Sequence, residues 1–435
     1  MTPGARLQAA IDLLAEIEAT PRPADAVISA YFRARRYIGA KDRNAVAELA
    51  YAVMRRYARL RWWLGRVGHV VSPRPLVIAN AILAESRESS SVAAVFSGAK
   101  FSPAPLSPAE AKMAKALETH TLDHPDMSNM VRAECPAWAV GPLREALGDR
   151  FLPEMLALLE PAPLDLRVNP IKADRDTARE RLLAEGVSAE PTQWSPLGLR
   201  VQGRPPLASL TVFRDGLVEI QDEGSQLVAL VADTRPGQQV VDFCAGAGGK
   251  TLALAASMEN KGRVVACDVL EKRLKRATER FRRAGLHNIE TRPLSTERDP
   301  WIKRHKLRFD RVLCDAPCTG TGTWRRNPDS RWRQLGPGLE ELVKLQAAIL
   351  DSAQRLVKPG GRLIYATCSM LPVENERQVD AFLATHPEFT VIPVPDLWPA
   401  VSSGPCPVPG PYLRLTPARH DTDGFFAAVL ERTAT

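Results

Sequence analysis

Across residues 5–85 apolar side chains recur every three to four positions, as in ISAYF, AVAELAYAVMRR and LVIANAILAES, the period of helices that bury one face. Residues 88–107, ESSSVAAVFSGAKFSPAPLS, are rich in Ser, Ala and Pro and predict an irregular connection. Short helices follow to about residue 160. An extended run at Leu166–Pro170 then precedes the helical pattern DTARERLLAEG, which suggests a small mixed α/β module. From about residue 236 the pattern changes. Short β-rich runs (QVVDFCA, RVVACD, IETR, FDRVLCDAP, RLIYATC, FTVIPV, FFAAVLER) alternate with amphipathic helices such as KTLALAASM, EKRLKRATERFRRAG, LEELVKLQAAILDSAQRLV and VENERQVDAFLATH. Strands and helices in this alternation predict an α/β fold with a mostly parallel sheet covered on both faces. The boundaries fall at residues 1–125 for the helical part, 126–212 for linker helices and the small module, and 213–435 for the sheet. No internal repeat is evident.

Composition narrows the class. Hydrophobic content of 45% and charged content of 25% are those of an ordinary soluble globular chain. No run approaches the ~18 apolar residues of a membrane span. The N-terminal run MTPGARLQAAIDLLAEIEAT carries Asp12, Glu16 and Glu18 within its apolar pattern and has no small-residue cleavage signal, so we expect a cytoplasmic protein. Seven scattered cysteines then imply free thiols rather than a disulfide framework. Cys314 and Cys318 lack a second close Cys/His pair, so no metal site is expected. No oligomerisation signal stands out, and monomer is the default.

A net charge of +8 favours a polyanionic partner, and clustering adds to that. Residues 271–283, EKRLKRATERFRR, hold seven basic side chains against two acidic ones. Residues 324–333, WRRNPDSRWR, and 55–66, RRYARLRWWLGR, interleave arginines with tryptophans. Arginines neutralise phosphates and exposed aromatics stack on unpaired bases, whereas the same pattern on a helix face can simply pack a core. We read the tryptophans of 55–66 as core, and Arg325, Arg326 and Arg331 as candidate RNA contacts.

Ligands in such sheets bind beyond the carboxyl ends of the strands, and three features land on that edge. The first is the turn Cys244-Ala245-Gly246-Ala247-Gly248-Gly249-Lys250, whose glycines let the backbone turn tightly and let a ligand approach. A close strand–helix junction would use glycines too. The second is Asp268, which ends the next strand about 20 residues on, where an acid can hold both ribose hydroxyls of an adenosine-type ligand. The turn lacks the G-x-G-x-x-G form suited to a pyrophosphate, which points to S-adenosylmethionine rather than NAD. The third is a pair of thiols, Cys318 and Cys368, just past two strands expected to be neighbours. A lone buried Cys is ordinarily a small core hydrophobe, a reading that suits Cys267 and Cys314. Two strand-end thiols beside Asp315 suit it less.

DFCAGAGGKT, DAPCTGTGTWRRNPDSRW and YATCSMLPVENERQV resemble the motif set of the Sun-type (RsmB-like) RNA cytosine-5 methyltransferases. QDEGSQL (221–227) and LRLTPARHDTDGFFAAVL (413–430) resemble two further blocks, so the likeness covers roughly residues 160–435. The N-terminal KDRNAVAELAYAVMRR is more loosely similar to a NusB-like RNA-binding domain. The resemblance implies a Rossmann-like S-adenosylmethionine methyltransferase sheet preceded by a small α/β RNA-positioning module and an all-α domain. It implies Cys368 as nucleophile toward cytosine carbon 6 and Cys318 as the thiol that helps remove the carbon-5 proton or release product. Asp315 would hydrogen-bond the cytosine edge and lie beside the cofactor. Lys250 is a candidate for phosphate or the cofactor carboxylate, and Lys272 and Arg273 flank the cofactor. His420 and Asp423 fall in the last block, with structural and substrate-contacting roles both open.

The sequence departs from the family in two places. Ala247 stands where Pro is usual, and Leu294 and Ser295 stand where an acid usually meets the adenine amino group. Ser295 could accept that hydrogen bond, or Glu297 could reach in. The resulting expectation is an S-adenosylmethionine-dependent RNA cytosine-5 methyltransferase acting on 16S ribosomal RNA. The alternatives are the same chemistry on transfer RNA, or on DNA, against which the Thr-Cys-Ser thiol argues, and a non-catalytic RNA-binding ribosome assembly factor.

Overall fold

The apolar stripes of the N-terminal helices share one core, in which Leu13, Val46, Ala50, Leu60, Leu64 and Ile78 have no solvent exposure. The computed structural model describes residues 1–434. Its contacts divide the chain into a helical unit, Met1–Pro161 together with Trp324–Gly336, and an α/β unit made of the remaining described residues.

In the helical unit, Thr2 opens the first helix (Pro3–Glu18) by accepting from Ala5 N, and Ser107 with Glu110 forms a reciprocal capping box on Pro108–Leu117. The stretch expected to be irregular contains a helix, Ser89–Val95. Val92 and Phe96, four residues apart and each 1% exposed, anchor it, and the Ser/Ala composition masked that spacing. The unit also runs past residue 125. Glu134 is fully buried and accepts from Ala58 N (2.6 Å), Arg59 N (3.1 Å) and Arg59 Nε (2.9 Å), tying the chain after residue 125 to the helix Tyr57–Arg66.

The arginine–tryptophan run differs most from its expected role. Trp324 has no exposure, and Arg325 and Arg331 are 3% and 2% exposed. Arg331 donates to the carbonyls of Glu134 (3.1 Å) and Leu158 (3.4 Å), with its guanidinium 4.9 Å from the Trp324 ring centre. Asp329 accepts from Ala24 N at 2.8 Å, and Trp332 donates to Met54 O at 3.1 Å. Arg331 is thus a plug of the helical core rather than a phosphate contact, and Arg325 is buried with it; Arg326 is half-buried. Guanidinium over indole serves a core as well as a nucleic acid, and sequence alone does not separate the two.

The α/β unit holds two sheets. The smaller has the order β2–β3–β1–β4, from β1 (Leu164–Val168), β2 (Ala189–Pro191), β3 (Gly198–Val201) and β4 (Val218–Ile220), with the helix Arg175–Ala184 packed on it. The larger comprises β5 (Gln239–Asp242), β6 (Arg263–Asp268), β7 (Ile289–Pro293), β8 (Phe309–Asp315), β9 (Val357–Thr367), β10 (Phe389–Ile392), β11 (Leu413–Leu415) and β12 (Phe425–Arg432). Its order is β10–β12–β9–β8–β5–β6–β7, with β11 paired to β12. Strands β5 to β9 pair in parallel, and β10, β11 and β12 add antiparallel pairings. Alternate residues face opposite cores. Val240, Val264, Ala266, Leu313 and Ile364 point to one side, and Val241, Val265, Cys267, Val312, Cys314 and Tyr365 to the other. Sequence order reverses between β5 and β8, which opens a crevice past their carboxyl ends. Among the described residues no helix is long and apolar enough to cross a membrane, and no cluster of His, Cys, Asp and Glu could hold a metal ion.

Replacing Arg331 with Ala should destabilise the helical unit by about 2–4 kcal/mol, because it strips hydrogen bonds from two buried carbonyls and empties the space over Trp324. Urea unfolding monitored by tryptophan fluorescence checks this. A change below about 0.5 kcal/mol would return Arg331 to the surface class.

Candidate active site

The crevice is built from the loops that leave β5, β6, β7, β8 and β9. After β5 the turn is held by Ala245 N donating to Cys267 O (2.8 Å) and by Gly248 N closing onto Ala245 O (2.8 Å). Gly248 has φ +80°, and a Cβ there would lie 2.5 Å from the Phe281 ring, so the turn accepts only glycine. Gly246, at φ +55°, has open space where a Cβ would stand, so its constraint is conformation and not crowding. Ala247 is exposed, and its carbonyl accepts from Arg280 Nη1 at 2.5 Å. Cys244 is half-buried and burial pushes its thiol well above the ordinary range, which leaves it inert. Gly249 begins the helix Gly249–Ser257, which carries Lys250 in its first turn.

Asp268 ends β6 and stands across the turn. One carboxylate oxygen accepts from Gly246 N (2.8 Å) and the other from Leu270 N (2.7 Å), which fixes the carboxylate at the crevice mouth. The next two residues, Val269 and Leu270, are apolar yet 57% and 51% exposed. An apolar surface beside a fixed acid matches the flat ring and hydroxylated sugar of an adenosine. Lys272 and Arg273 are exposed on the first turn of the helix Glu271–Ala284. Past β7, Leu294 is buried in the core, whereas Ser295 is exposed. Ser295 N and Oγ both donate to Asp299 Oδ2 at 2.9 Å, so the hydroxyl keeps its lone pairs for an incoming N–H. Asp299 is the cap of the helix Pro300–Arg304; the hydrogen bond from Ser295 N above all, against burial, holds its carboxyl below the usual range.

Asp242, the last residue of β5, was not among the residues singled out from sequence, although a strand-final acid before a glycine turn is the signal that could have found it. Its carboxyl is 1% exposed; Oδ2 accepts from Thr251 Oγ1 (2.6 Å), and Oδ1 is buried with no hydrogen-bond partner. Burial above all pushes its pKa up to about 7. An orphaned buried acceptor behind the turn fits a ligand that brings a polar hydrogen. With the fixed Asp268 carboxylate and the exposed Val269 and Leu270, these residues fit S-adenosylmethionine.

Strands β8 and β9 pair in parallel with Asp315 opposite Ala366, so the chain leaves both at the same height. There Cys318 Sγ and Cys368 Sγ approach to 3.4 Å, both half-buried. Cys314 and Cys267 have no exposure and belong to the core. Asp315 Oδ2 accepts from Lys250 Nζ at 2.7 Å, and the ammonium lies 5.2 Å from the Phe425 ring centre. Burial alone would lower the Lys250 pKa; the Asp315 carboxylate outweighs it and raises it. The two thiol loops are stitched together. Gly322 N donates to Cys368 O (3.0 Å), Met370 N to Thr321 Oγ1 (2.9 Å), and Asn375 Nδ2 to Ser369 O (2.9 Å). Gly424 packs on them so closely that a Cβ on Gly322 would meet Gly424 O at 2.2 Å.

His420 and Asp423 hold the loop before β12. His420 is 2% exposed, accepts from Thr416 N at Nδ1 (2.9 Å) and donates from Nε2 to Pro407 O (3.2 Å). Asp423 N donates to the Asp222 carboxylate at 3.2 Å, joining 413–430 to 221–227. Both residues are buried, each 2% exposed.

A crevice at the sheet's switch point, a glycine turn facing a ribose-type acid, and paired thiols beside a partly buried Lys–Asp pair define an S-adenosylmethionine-dependent methyltransferase. Residues 229–431 match the family described as 16S rRNA methyltransferase RsmB/F, and residues 135–208 match the RsmF/B-like ferredoxin-like domain. The chain is 33% identical over 313 residues to the probable ribosomal RNA small subunit methyltransferase B of Synechocystis, covering 72% of this chain and 70% of that one. It is 30% identical over 367 residues to ribosomal RNA small subunit methyltransferase B of Photorhabdus laumondii, covering 80% and 83%. The crystal structure of PH0851 superposes with a TM-score of 0.78 at 27% identity, covering 99% of each chain. The chain belongs to the RsmB/F methyltransferase family, and its cofactor is S-adenosyl-L-methionine.

The folded chain holds the Asp242 proton up to about pH 7, while the unfolded chain releases it near 3.8. Stability from this group is therefore fully present below about pH 4 and is lost as pH rises through about 7. Asp242→Asn should remove that part of the decline in melting temperature between pH 5 and pH 8. Identical pH dependence in wild type and variant would show that the carboxyl ionises freely in the fold.

Proposed function

We propose that this chain methylates carbon 5 of a cytosine in 16S ribosomal RNA through a covalent bond between Cys368 and carbon 6 of the base. The observation that supports this most is the 3.4 Å approach of two strand-end thiols beside the Asp315–Lys250 pair. Carbon 5 of cytosine is a weak nucleophile. Addition of the Cys368 sulfur to carbon 6 breaks the 5,6 double bond and gives carbon 5 the electron density to take a methyl group, one hard step divided into two. Bound S-adenosylmethionine supplies an electrophilic methyl on sulfonium. Asp315, held by Lys250, contacts the polar edge of the ring, and the pair balances charge as electrons move toward that edge. The carbon-5 proton passes to water, its C–H electron pair re-forms the 5,6 double bond, and the carbon 6–sulfur bond breaks with its electrons on the Cys368 sulfur, to which Cys318, 3.4 Å away, can donate its proton. Asp268 holds the ribose hydroxyls of the cofactor, Ser295 accepts from its adenine amino group, and the turn from Cys244 to Lys250 wraps its amino-acid end. Lys272 and Arg273 lie exposed beside that position and flank it.

RNA as substrate class draws support from the named relatives and from the need for an unstacked base, which single-stranded RNA loops provide at little cost. The exposed basic face of Glu271–Ala284 offers phosphate contacts. Arg326 keeps partial exposure and remains a candidate contact, unlike Arg325 and Arg331.

The test is transfer of labelled methyl from S-adenosylmethionine to ribosomal RNA taken from cells lacking this protein. Wild type should yield 5-methylcytosine on nuclease digestion. Cys368→Ala should lower the rate at least a thousandfold with cofactor binding retained. Cys318→Ala should accumulate an RNA–protein adduct that survives denaturation. A Cys318→Ala enzyme that turns over normally and leaves no adduct would show the thiol roles to be wrong.

A further inference from the structure

The two thiols have the same chemistry and nearly the same exposure, yet their surroundings differ in sign. Glu374, fully buried, lies against the Cys318 loop. Its Oε1 accepts from Thr319 N (2.9 Å) and Gln346 Nε2 (3.0 Å), and its Oε2 accepts from Thr319 Oγ1 (2.5 Å). Gln346 Nε2 also donates to Pro317 O at 2.9 Å, so the residues on both sides of Cys318 are held by one carboxylate and one amide. Tyr365 OH donates to the Glu374 carbonyl at 2.6 Å and fixes its backbone. The nearby cation, Lys250, is tied to Asp315 and interacts with the Cys368 sulfur. An anion faces Cys318 and a cation faces Cys368.

We propose that Glu374 is a positioning residue that gives the two thiols their separate roles, holding Cys318 in place as the proton-carrying thiol and leaving Cys368 as the acceptor sulfur that attacks the base. The assignment rests on the cysteine-adduct reading and deepens it. The two titratable groups that act most on Cys318, Cys368 and Glu374, agree with it. Its hydrogen bond with Cys368, then burial, then the charges of Cys368 and Glu374 push the Cys318 thiol well above its usual range, against a smaller opposing hydrogen bond from the Gly320 backbone. Tyr365 beneath is itself pushed up, by burial first.

The test needs neither RNA nor cofactor. The full-length chain is alkylated with iodoacetamide across a range of pH, and the Cys318 and Cys368 peptides are quantified separately by mass spectrometry. In wild type Cys368 should react with the lower pH midpoint. Glu374→Gln keeps the shape and removes the charge, and should move the Cys318 midpoint down by about 1–2 pH units, the order expected on removing one nearby unit charge through an effective dielectric of ~20. Glu374→Asp, which keeps the charge, should restore a midpoint close to wild type. A folded Glu374→Gln protein with an unmoved Cys318 midpoint would overturn the proposal. So would a wild-type chain in which Cys318 has the lower midpoint, a comparison that stands even if the Gln variant does not fold. Failure of the cytosine-5 reading would appear separately, as methyl label on another atom of the RNA with these midpoints in place.

Discussion

The parallel pairing of β8 with β9 is the constraint on which the site depends. Asp315 lies opposite Ala366, and the ladder runs one step past the strand when Ala316 N donates to Ala366 O at 2.8 Å. Side chains alternate along each strand, so a slip of one residue would turn Cys314 toward the crevice side and bury Asp315. The register therefore decides which cysteines are core and which are exposed to chemistry. It is secured from both faces, because Val312 and Leu313 enter opposite hydrophobic cores.

Around that register the α/β unit concentrates ionisable groups that would be costly elsewhere. Asp242, Lys250 and Asp268 are each less than a tenth exposed, and Asp315 is partly covered. Each has a different way of being tolerated. Lys250 and Asp315 neutralise one another, Asp268 is held by two backbone N–H groups, and Asp242 favours its protonated form. Fields in such a place act over short distances with little water to weaken them, so the position of one more carboxylate, Glu374, is enough to distinguish two neighbouring thiols.

Much of this was legible in the chain. The alternation of periods two and 3.6 marked the larger sheet, and FFAAVLER at 425–432 coincides with β12. The glycine turn, Asp268, Asp315 and the two thiols stood at strand ends, where periodicity stops and chemistry begins, and the fold gathers them in one unit. Other features were hidden for physical reasons. Arg331 and Trp324 look like a nucleic-acid contact because an indole under a guanidinium reads the same in a core and on a surface. The helix Ser89–Val95 lay within a composition typical of loops. Glu374 falls within the block YATCSMLPVENERQV and Gln346 within a helical pattern, but neither revealed its role, which comes from a hydrogen bond between residues 28 apart in sequence.

The excursion at 324–336 bears on how the chain can come to be folded. Trp324 and Arg331 are buried in a unit whose residues outside 324–336 all precede Ala162. A ribosome making this protein releases the first 161 residues long before the segment that finishes their core. During that interval the carbonyls of Glu134 and Leu158 lack the donor they have in the folded chain. The catalytic part is interrupted in turn, since its chain pauses just after the Cys318 loop to serve another core and resumes at 337. Order of synthesis and order of completion are thus decoupled. A cut at residue 161 would leave one piece without its plug and the other with a buried-type tryptophan facing water.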